Sequence, residues 1–264
     1  MKKIFLALIA VIIFCSVINA QNDTMYIMKS GLVIDKYNVH TQVDSIIFYQ
    51  AEMSNSTFID SRDSNIYQIV TIGNQVWMAE NLKYLPSITE PNTGSATTLC
   101  YYVYGYNGTN VDEAKESVNY NTYGVLYNWA AAMAGSASSV ANPSVVQGVC
   151  PIGWHLPSYM EWTELTDYLG GDYVAGGKLK ETGTIHWNSP NEGATNETGF
   201  TALPGGYYQF DEDFSSICYF GIWWNATEYN TNFAWSHYLN FSFRYMYEVF
   251  SNKASGLAVR CVRN

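Results

Sequence analysis

Residues 149–162 constrain this chain more than any other stretch: Val149-Cys150-Pro151-Ile152-Gly153-Trp154-His155-Leu156-Pro157-Ser158-Tyr159-Met160-Glu161-Trp162. A cysteine leads into a proline–glycine turn. The apolar run Trp154-His155-Leu156 then reads as a buried strand, and a helix begins at Ser158. The Ser158 hydroxyl accepts from the N–H of Glu161, and the Glu161 carboxylate accepts from the N–H of Ser158, the reciprocal pattern of a capping box. Trp162, Leu165 and Leu169 share one helical face, and Gly170-Gly171 ends the helix. A helix is therefore expected over 158–169. Cys150 and His155 invite a catalytic reading, yet a histidine between two large apolar residues is more economically a hydrogen-bonded core residue. None of His40, His155, His186 and His237 stands in a metal-binding spacing such as His-Glu-x-x-His. No Gly-x-Ser-x-Gly elbow or phosphate-cradling glycine loop occurs.

The first twenty residues have the form of an export signal. Lys2 and Lys3 precede an apolar run from 4 to 17, and Ile18-Asn19-Ala20 offers a small residue at the cleavage point. That run is shorter than the ~20 residues of a membrane span, and no later segment is apolar enough to span. Cys15 offers lipidation as an alternative. Ile12-Ile13-Phe14 lacks the small residue such a site prefers, so ordinary cleavage is expected. The destination is the outer surface or the medium, with the periplasm as an alternative. Loss of the two lysines takes the formal charge from −10 to −12. A chain this acidic repels phosphate backbones, which argues against nucleic acid as a partner. Cys100, Cys150, Cys218 and Cys261 remain, an even number in an exported chain, which implies two disulfides. Spacing alone leaves three pairings open.

Residues 21–49 read as a strand–turn–strand unit, Met25-Tyr26-Ile27-Met28 then Leu32-Val33-Ile34, with a further β-branched run over 43–48. Residues 50–57 read as a linker and 58–264 as the main domain. Residues 66–72 and 75–78 form a hairpin around Gly73-Asn74. Residues 86–98, 105–121 and 135–148 read as loops, 100–104 as a short aromatic strand. A helix is expected over 124–134 from Leu126, Trp129, Ala130 and Met133, and a weaker one over 173–180. Later strands are expected at 200–203, 221–224, 234–241, 245–250 and 257–262. Helices followed by short strands and long loops indicate an α+β class.

Several blocks, in order, resemble one family. They are Asp60-Ser61-Arg62-Asp63, Ile72-Gly73-Asn74-Gln75-Val76-Trp77-Met78-Ala79-Glu80-Asn81-Leu82, Tyr123-Gly124-Val125-Leu126-Tyr127-Asn128-Trp129 and the Cys150 segment. Gly199-Phe200-Thr201-Ala202-Leu203-Pro204-Gly205-Gly206, Trp224-Asn225-Ala226-Thr227-Glu228 and Val259-Arg260-Cys261-Val262 complete the set. Together they resemble the Fibrobacter succinogenes major paralogous domain over roughly 58–264. Residues 23–49 resemble a segment common in exported Bacteroidetes proteins. The resemblance implies a C-type-lectin-like fold, shared with formylglycine-generating enzymes. It implies two main helices, small antiparallel sheets, and chain ends meeting in one sheet. It also implies a Cys150–Cys261 disulfide, leaving Cys100 with Cys218. It implies no defined activity.

Calcium-dependent sugar binding in C-type lectins uses a Glu-Pro-Asn triplet and a Trp-Asn-Asp triplet. Glu90-Pro91-Asn92 lies before the first helix, on the wrong side for that role. Ser189-Pro190-Asn191-Glu192 lacks the leading acid, and Ala226 replaces the aspartate in Trp224-Asn225-Ala226. Asn191, Glu192, Asn196 and Glu197 still put four oxygen donors in one loop and form a weaker Ca²⁺ candidate. Asp211, Glu212 and Asp213 read as a solvated tip. The favoured function is a non-enzymatic binding or adhesion module for a glycan or protein ligand. Its candidate contacts are Trp187, Tyr207, Tyr208, Trp223 and Tyr229, in the aromatic loops of 182–232. A formylglycine-generating type of oxidase and a structural surface component are the alternatives. The oxidase requires a metal and a reactive thiol, and the surface component a partner for 23–49. Aromatics at 16% suit a recognition surface, but filling a small core explains them as well.

Overall fold

A computed structural model describes residues 24–29, 32–38, 56–210 and 213–264. The export signal, the strand expected over 43–48, residues 50–55 of the linker, and Asp211 and Glu212 lie outside the described residues. The chain divides into two units, Met1–Met53 and Ser54–Asn264. In the first, β1 (Thr24–Lys29) and β2 (Leu32–Asn38) pair antiparallel, with an irregularity between Ile27 and Met28.

The second unit is a mixed fold, richer in strand than in helix, with one disulfide among its described residues. One sheet has five strands. β3 (Ser56–Ile59), β4 (Ile66–Ile72) and β5 (Gln75–Met78) run in sequence, and β15 (Val262–Arg263) and β8 (Trp154–His155) complete it, in the order β3-β4-β5-β15-β8. The two-residue turn Gly73-Asn74 closes β4 onto β5, and Gly73 sits at φ +62. Positive φ at the first central position is the geometry in which glycine favours a hairpin. Strand β3 corrects the expected linker, because Ser56 and Thr57 pair with Ile69 and Gln68.

The second sheet has six strands. They are β6 (Tyr101–Tyr102), β7 (Leu126–Tyr127), β11 (Phe220–Glu228), β12 (Phe233–Asn240), β13 (Met246–Asn252) and β14 (Leu257–Ala258), in the order β13-β12-β11-β14-β7-β6. β9 (Tyr207–Tyr208) and β10 (Phe214–Ser215) form a separate pair. The described helices are α1 (Val111–Glu116), α2 (Val118–Tyr123), α3 (Trp129–Met133), α4 (Tyr159–Tyr168) and α5 (Asp172–Leu179). None is long and apolar enough to cross a membrane.

Three local expectations are corrected. The helix expected over 124–134 is broken: Gly124 at φ +77 ends α2, and Leu126 and Tyr127 join the sheet between Tyr101-Tyr102 and Leu257-Ala258. Only then does the Asn128 side chain cap α3 by accepting from Ala131. The apolar spacing is helical, but the sheet takes the backbone first. Second, the loop expected over 105–121 holds α1 and α2, capped by Asn110 and Ser117. Third, residues 200–203 form no strand. Ala202 makes one bridge to Lys180, while the carbonyls of Phe200 and Thr201 accept from Arg260.

The 149–162 segment is the clasp between the sheet and α4. Cys150 bonds Cys261, 111 residues away. A loop of this length gives a stabilisation of about 5 kcal/mol in the chain-entropy model. The capping box forms, and the Glu161 carboxylate does more than cap. Oε2 accepts from Ser158 N (2.9 Å) and Ser144 N (3.0 Å), while Oε1 lies 2.6 Å from His155 Nε2. His155 Nδ1 lies 2.7 Å from Asn264 Oδ1. Burial alone pulls the His155 pKa down. The hydrogen bond and charge of Glu161 outweigh burial and hold it above the usual imidazole range. The second expected disulfide is absent: Cys100 and Cys218 are free thiols. Cys100 is buried and its Sγ donates to Thr98 O at 3.4 Å, whereas Cys218 sits in a turn at φ +67 whose N–H donates to Pro204 O.

Candidate functional site

Six of the eight tryptophans, at 77, 154, 162, 187, 223 and 224, are fully buried, so most of the aromatic excess builds the core. This corrects three of the five expected ligand contacts. Trp187 is buried with Nε1 donating to Ala202 O at 2.9 Å. Trp223 is buried with Nε1 donating to Asn81 Oδ1 at 2.8 Å. Tyr208 is buried, stacked on Tyr102 at 4.2 Å, with its hydroxyl accepting from Asn92 N. An aromatic polar atom placed in a core needs such a partner. Tyr207 and Tyr229 keep exposed surface. Tyr229 stacks on Phe250 at 4.7 Å at one end of the second sheet, while Tyr207 lies elsewhere, in a groove described below.

The expected calcium loop is tied by internal contacts. Asn191 is buried, and its Nδ2 donates to Glu181 O and Gly183 O. The Asn196 side chain bonds Thr201, and Glu197 pairs with Lys178 at 3.1 Å. Glu192 is exposed, and what it contributes inward is its backbone carbonyl. That carbonyl accepts from the Lys180 ammonium at 2.9 Å, and Nζ also donates to Asn240 O (3.1 Å) and Phe243 O (2.9 Å). Lys180 thus joins this loop to the end of β12 and the segment after it, while Asn191 Oδ1 is buried with no hydrogen-bond partner among the described residues. Burial lowers the Lys180 pKa to about 8, with Glu192 partly opposing. No three His, Cys, Asp or Glu side chains among the described residues are grouped to hold a metal ion.

Several resemblance blocks meet in a second buried polar knot. Arg260 is buried with no carboxylate partner. It donates to Phe200 O, Thr201 O and Asn81 Oδ1, and its guanidinium lies 4.0 Å from the Phe200 ring centroid. Asn81 Oδ1 thereby serves both Arg260 and Trp223. A third polar cluster joins Tyr159, whose hydroxyl donates to Glu248 Oε2 (2.5 Å), and His237, whose Nε2 faces Glu248 Oε1 at 3.8 Å. That distance permits an ion pair but not a hydrogen bond. His237 is buried and stacks on Trp162 at 5.1 Å. Burial lowers its pKa, with Glu248 opposing.

Beyond these internal arrangements, one open feature has the composition of a binding site. A groove of about 410 Å³ lies over the outer face of β11, β12 and β13. Phe210, Phe220, Ile222, Val249 and Leu257 supply its apolar surface. Tyr207, Gln209, Tyr238, Ser251, Asn252 and Ser255 supply neutral hydrogen-bonding groups. None of these described lining residues is charged, in a chain whose formal charge is −10. The strand period explains the placement: Trp223, His237 and Leu239 share one buried face, and Ile222 and Tyr238, direct cross-strand partners, share the other, where Ile222 borders the core cluster of Trp224 and Leu257 and Tyr238 is half-buried. A solvent-facing sheet surface is normally polar. Phe220 and Tyr238, which line the groove, lie on strands outside the expected loop contacts. The signal available was the run Tyr245-x-Tyr247-x-Val249, aromatic and apolar on the wrong alternate of an edge strand.

No curated protein and no solved structure matches the chain. Residues 70–263 match the model of the Fibrobacter succinogenes major domain, and they include Asn81, Phe200 and Arg260 of the polar knot and both cysteines of the disulfide. The chain belongs to the Fibrobacter succinogenes major domain family.

Proposed function

We propose that this chain is an exported, non-catalytic binding module that holds an uncharged glycan in the groove over β11–β13. The lining carries the reading: apolar and aromatic surface interleaved with amide and hydroxyl groups, and no charged side chain among the described lining residues. Apolar ring surface packs against the C–H faces of sugars, and Gln209, Asn252, Ser251 and Ser255 match sugar hydroxyls as donors and acceptors. An acidic chain whose described groove lining is uncharged disfavours polyanions. The C-type-lectin-like architecture belongs to the same proposal. Its support is that β5, early in the unit, and β15, at its end, are neighbours in one sheet. Calcium is no part of the proposal: Asn196 bonds Thr201, Glu197 pairs with Lys178, and the Lys180 ammonium holds the Glu192 carbonyl.

Titration of the mature chain with neutral oligosaccharides tests this. Binding that survives EDTA and falls at least tenfold in Tyr238→Ala is expected. A folded protein that binds no neutral glycan, or binds one only with calcium, overturns it.

A further inference from the structure

The groove does not end the aromatic surface. From Phe220 the ring contacts run to Tyr238 (5.7 Å between centroids), Tyr247 (4.8 Å), Tyr245 (5.8 Å) and Tyr173 (5.2 Å). The row crosses β11, β12 and β13 in turn and continues to the first turn of α5. Phe220, Tyr238, Tyr245 and Tyr247 are each half-buried, whereas Tyr173 is 74% exposed. The strand register makes this continuity: Ile222 faces Tyr238, Tyr238 faces Tyr247, and Tyr245 follows two residues along the same face of the chain. β13 is the edge of its sheet, so the row passes over an open margin.

Successive rings are in contact, Tyr238 flat on Tyr247 (8° between planes) and Tyr173 edge-on to Tyr245 (88°), so the row is one contiguous aromatic surface. Burial, then the neighbouring tyrosine rings, raises the pKa of Tyr238 and Tyr247, so both phenols stay protonated donors near neutrality. The charges beside the row, Asp172 and Arg244, are of opposite sign, and the Arg244 stem packs beside Gly193. At the Tyr173 end, then, the neighbouring charges are of both signs. Tyr238 and Tyr247 are half-buried and lie on the face of the sheet opposite the buried Trp223, His237, Leu239 and Met246.

We propose that the ligand is a linear, uncharged polysaccharide. It would lie along the row Phe220–Tyr238–Tyr247–Tyr245–Tyr173 and occupy several consecutive subsites, the groove being only the first. This rests on the groove being a glycan site, and the experiment separates the two. Cello-, xylo-, manno- and malto-oligosaccharides of two to six units are titrated calorimetrically into the mature chain and into Tyr238→Ala, Tyr245→Ala and Tyr173→Ala. For the series that binds, affinity should rise at least tenfold from two to five units. Tyr173→Ala and Tyr245→Ala should cut pentamer affinity at least fivefold and leave the dimer unchanged, while Tyr238→Ala weakens both. Tyr173 is exposed, so its variant should fold, and a matching melting curve verifies that. If the pentamer binds no tighter than the dimer, or both outer variants leave the pentamer unchanged while Tyr238→Ala weakens it, the extended site is overturned and the groove stands. If no series binds the folded protein, or binding is found only to uncharged peptides, both are overturned.

Discussion

Replacing Lys180 by Met tests the claim that an internal ammonium joins the 188–196 loop to the end of β12 and the segment after it. Met matches the length and apolar stem of lysine but donates no hydrogen bond. Three carbonyls then lose a donor: Asn240 O, which is buried and keeps the long contact from Phe243 N (3.5 Å), and Glu192 O and Phe243 O, which are partly buried. An unsatisfied buried acceptor costs about 1–3 kcal/mol, and one that water reaches costs less. Relief of the buried charge offsets part of the loss. The net expectation is about 3 kcal/mol of destabilisation, read as a lower urea midpoint at unchanged slope. Faster amide exchange should appear in residues 188–196 and 240–244, because these two segments are what Nζ joins. The pH dependence gives a second reading. Burial lowers the ammonium pKa from 10.5 to about 8. Between those values the unfolded chain binds more protons than the folded one. This group's contribution to stability therefore rises with pH across that window, and Lys180→Met should flatten that limb. A destabilisation below about 1 kcal/mol, with unchanged exchange at both segments, would refute the clamp: it would mean that water already serves these carbonyls.

Cys150→Ser with Cys261→Ser, or reduction under native conditions, should lower stability by about 5 kcal/mol by urea titration, reflecting the 111-residue loop. Reagents for free thiols should find two per unfolded, unreduced mature chain, Cys100 and Cys218; a value of zero would restore the second disulfide. Two histidines should shape the pH profile in opposite directions. The raised pKa of His155 gives stability that is fully present below 6.5 and is lost as pH rises through its folded value, so His155→Gln should flatten the profile above 6.5. The lowered pKa of His237 gives stability that is present above 6.5 and is lost as pH falls towards its folded value. His237→Phe, which keeps the stack on Trp162, should flatten the acid limb. Thermal melts from pH 4 to 9 measure both, and an unchanged profile in either variant refutes its assignment.

Local rules placed much of this fold in the sequence. Gly73-Asn74 between two β-branched runs specifies a hairpin because glycine reaches φ +62 without strain. Ser158 and Glu161 specify the start of α4 because both capping partners lie within one turn. Apolar alternation located β11, β12 and β13 to within a few residues. The break at Gly124 was not legible in the same way. Its cause is the pairing of Leu126 and Tyr127 with Tyr101-Tyr102 and with Leu257-Ala258, and spacing within a window carries no information about distant partners.

The candidate site divides along the same line. Sequence determined that the chain is rich in tyrosine and tryptophan and that it is acidic, since those are facts of composition. It also carried the family, through short blocks whose order is visible without coordinates. Which aromatics are free was decided only by tertiary structure. Trp187, Tyr208 and Trp223 look like good ligand contacts, yet each has its face in the core and its polar atom on an internal partner. Tyr238 and Tyr247 keep part of their surface because sheet register turns them away from Trp223 and His237. Burial is a property of what packs against a residue, and those neighbours come from segments far apart in the chain. The same reason gave Glu161 its second role: one helical turn fixed the cap, but only the folded sheet brought His155 and Ser144 to the same carboxylate.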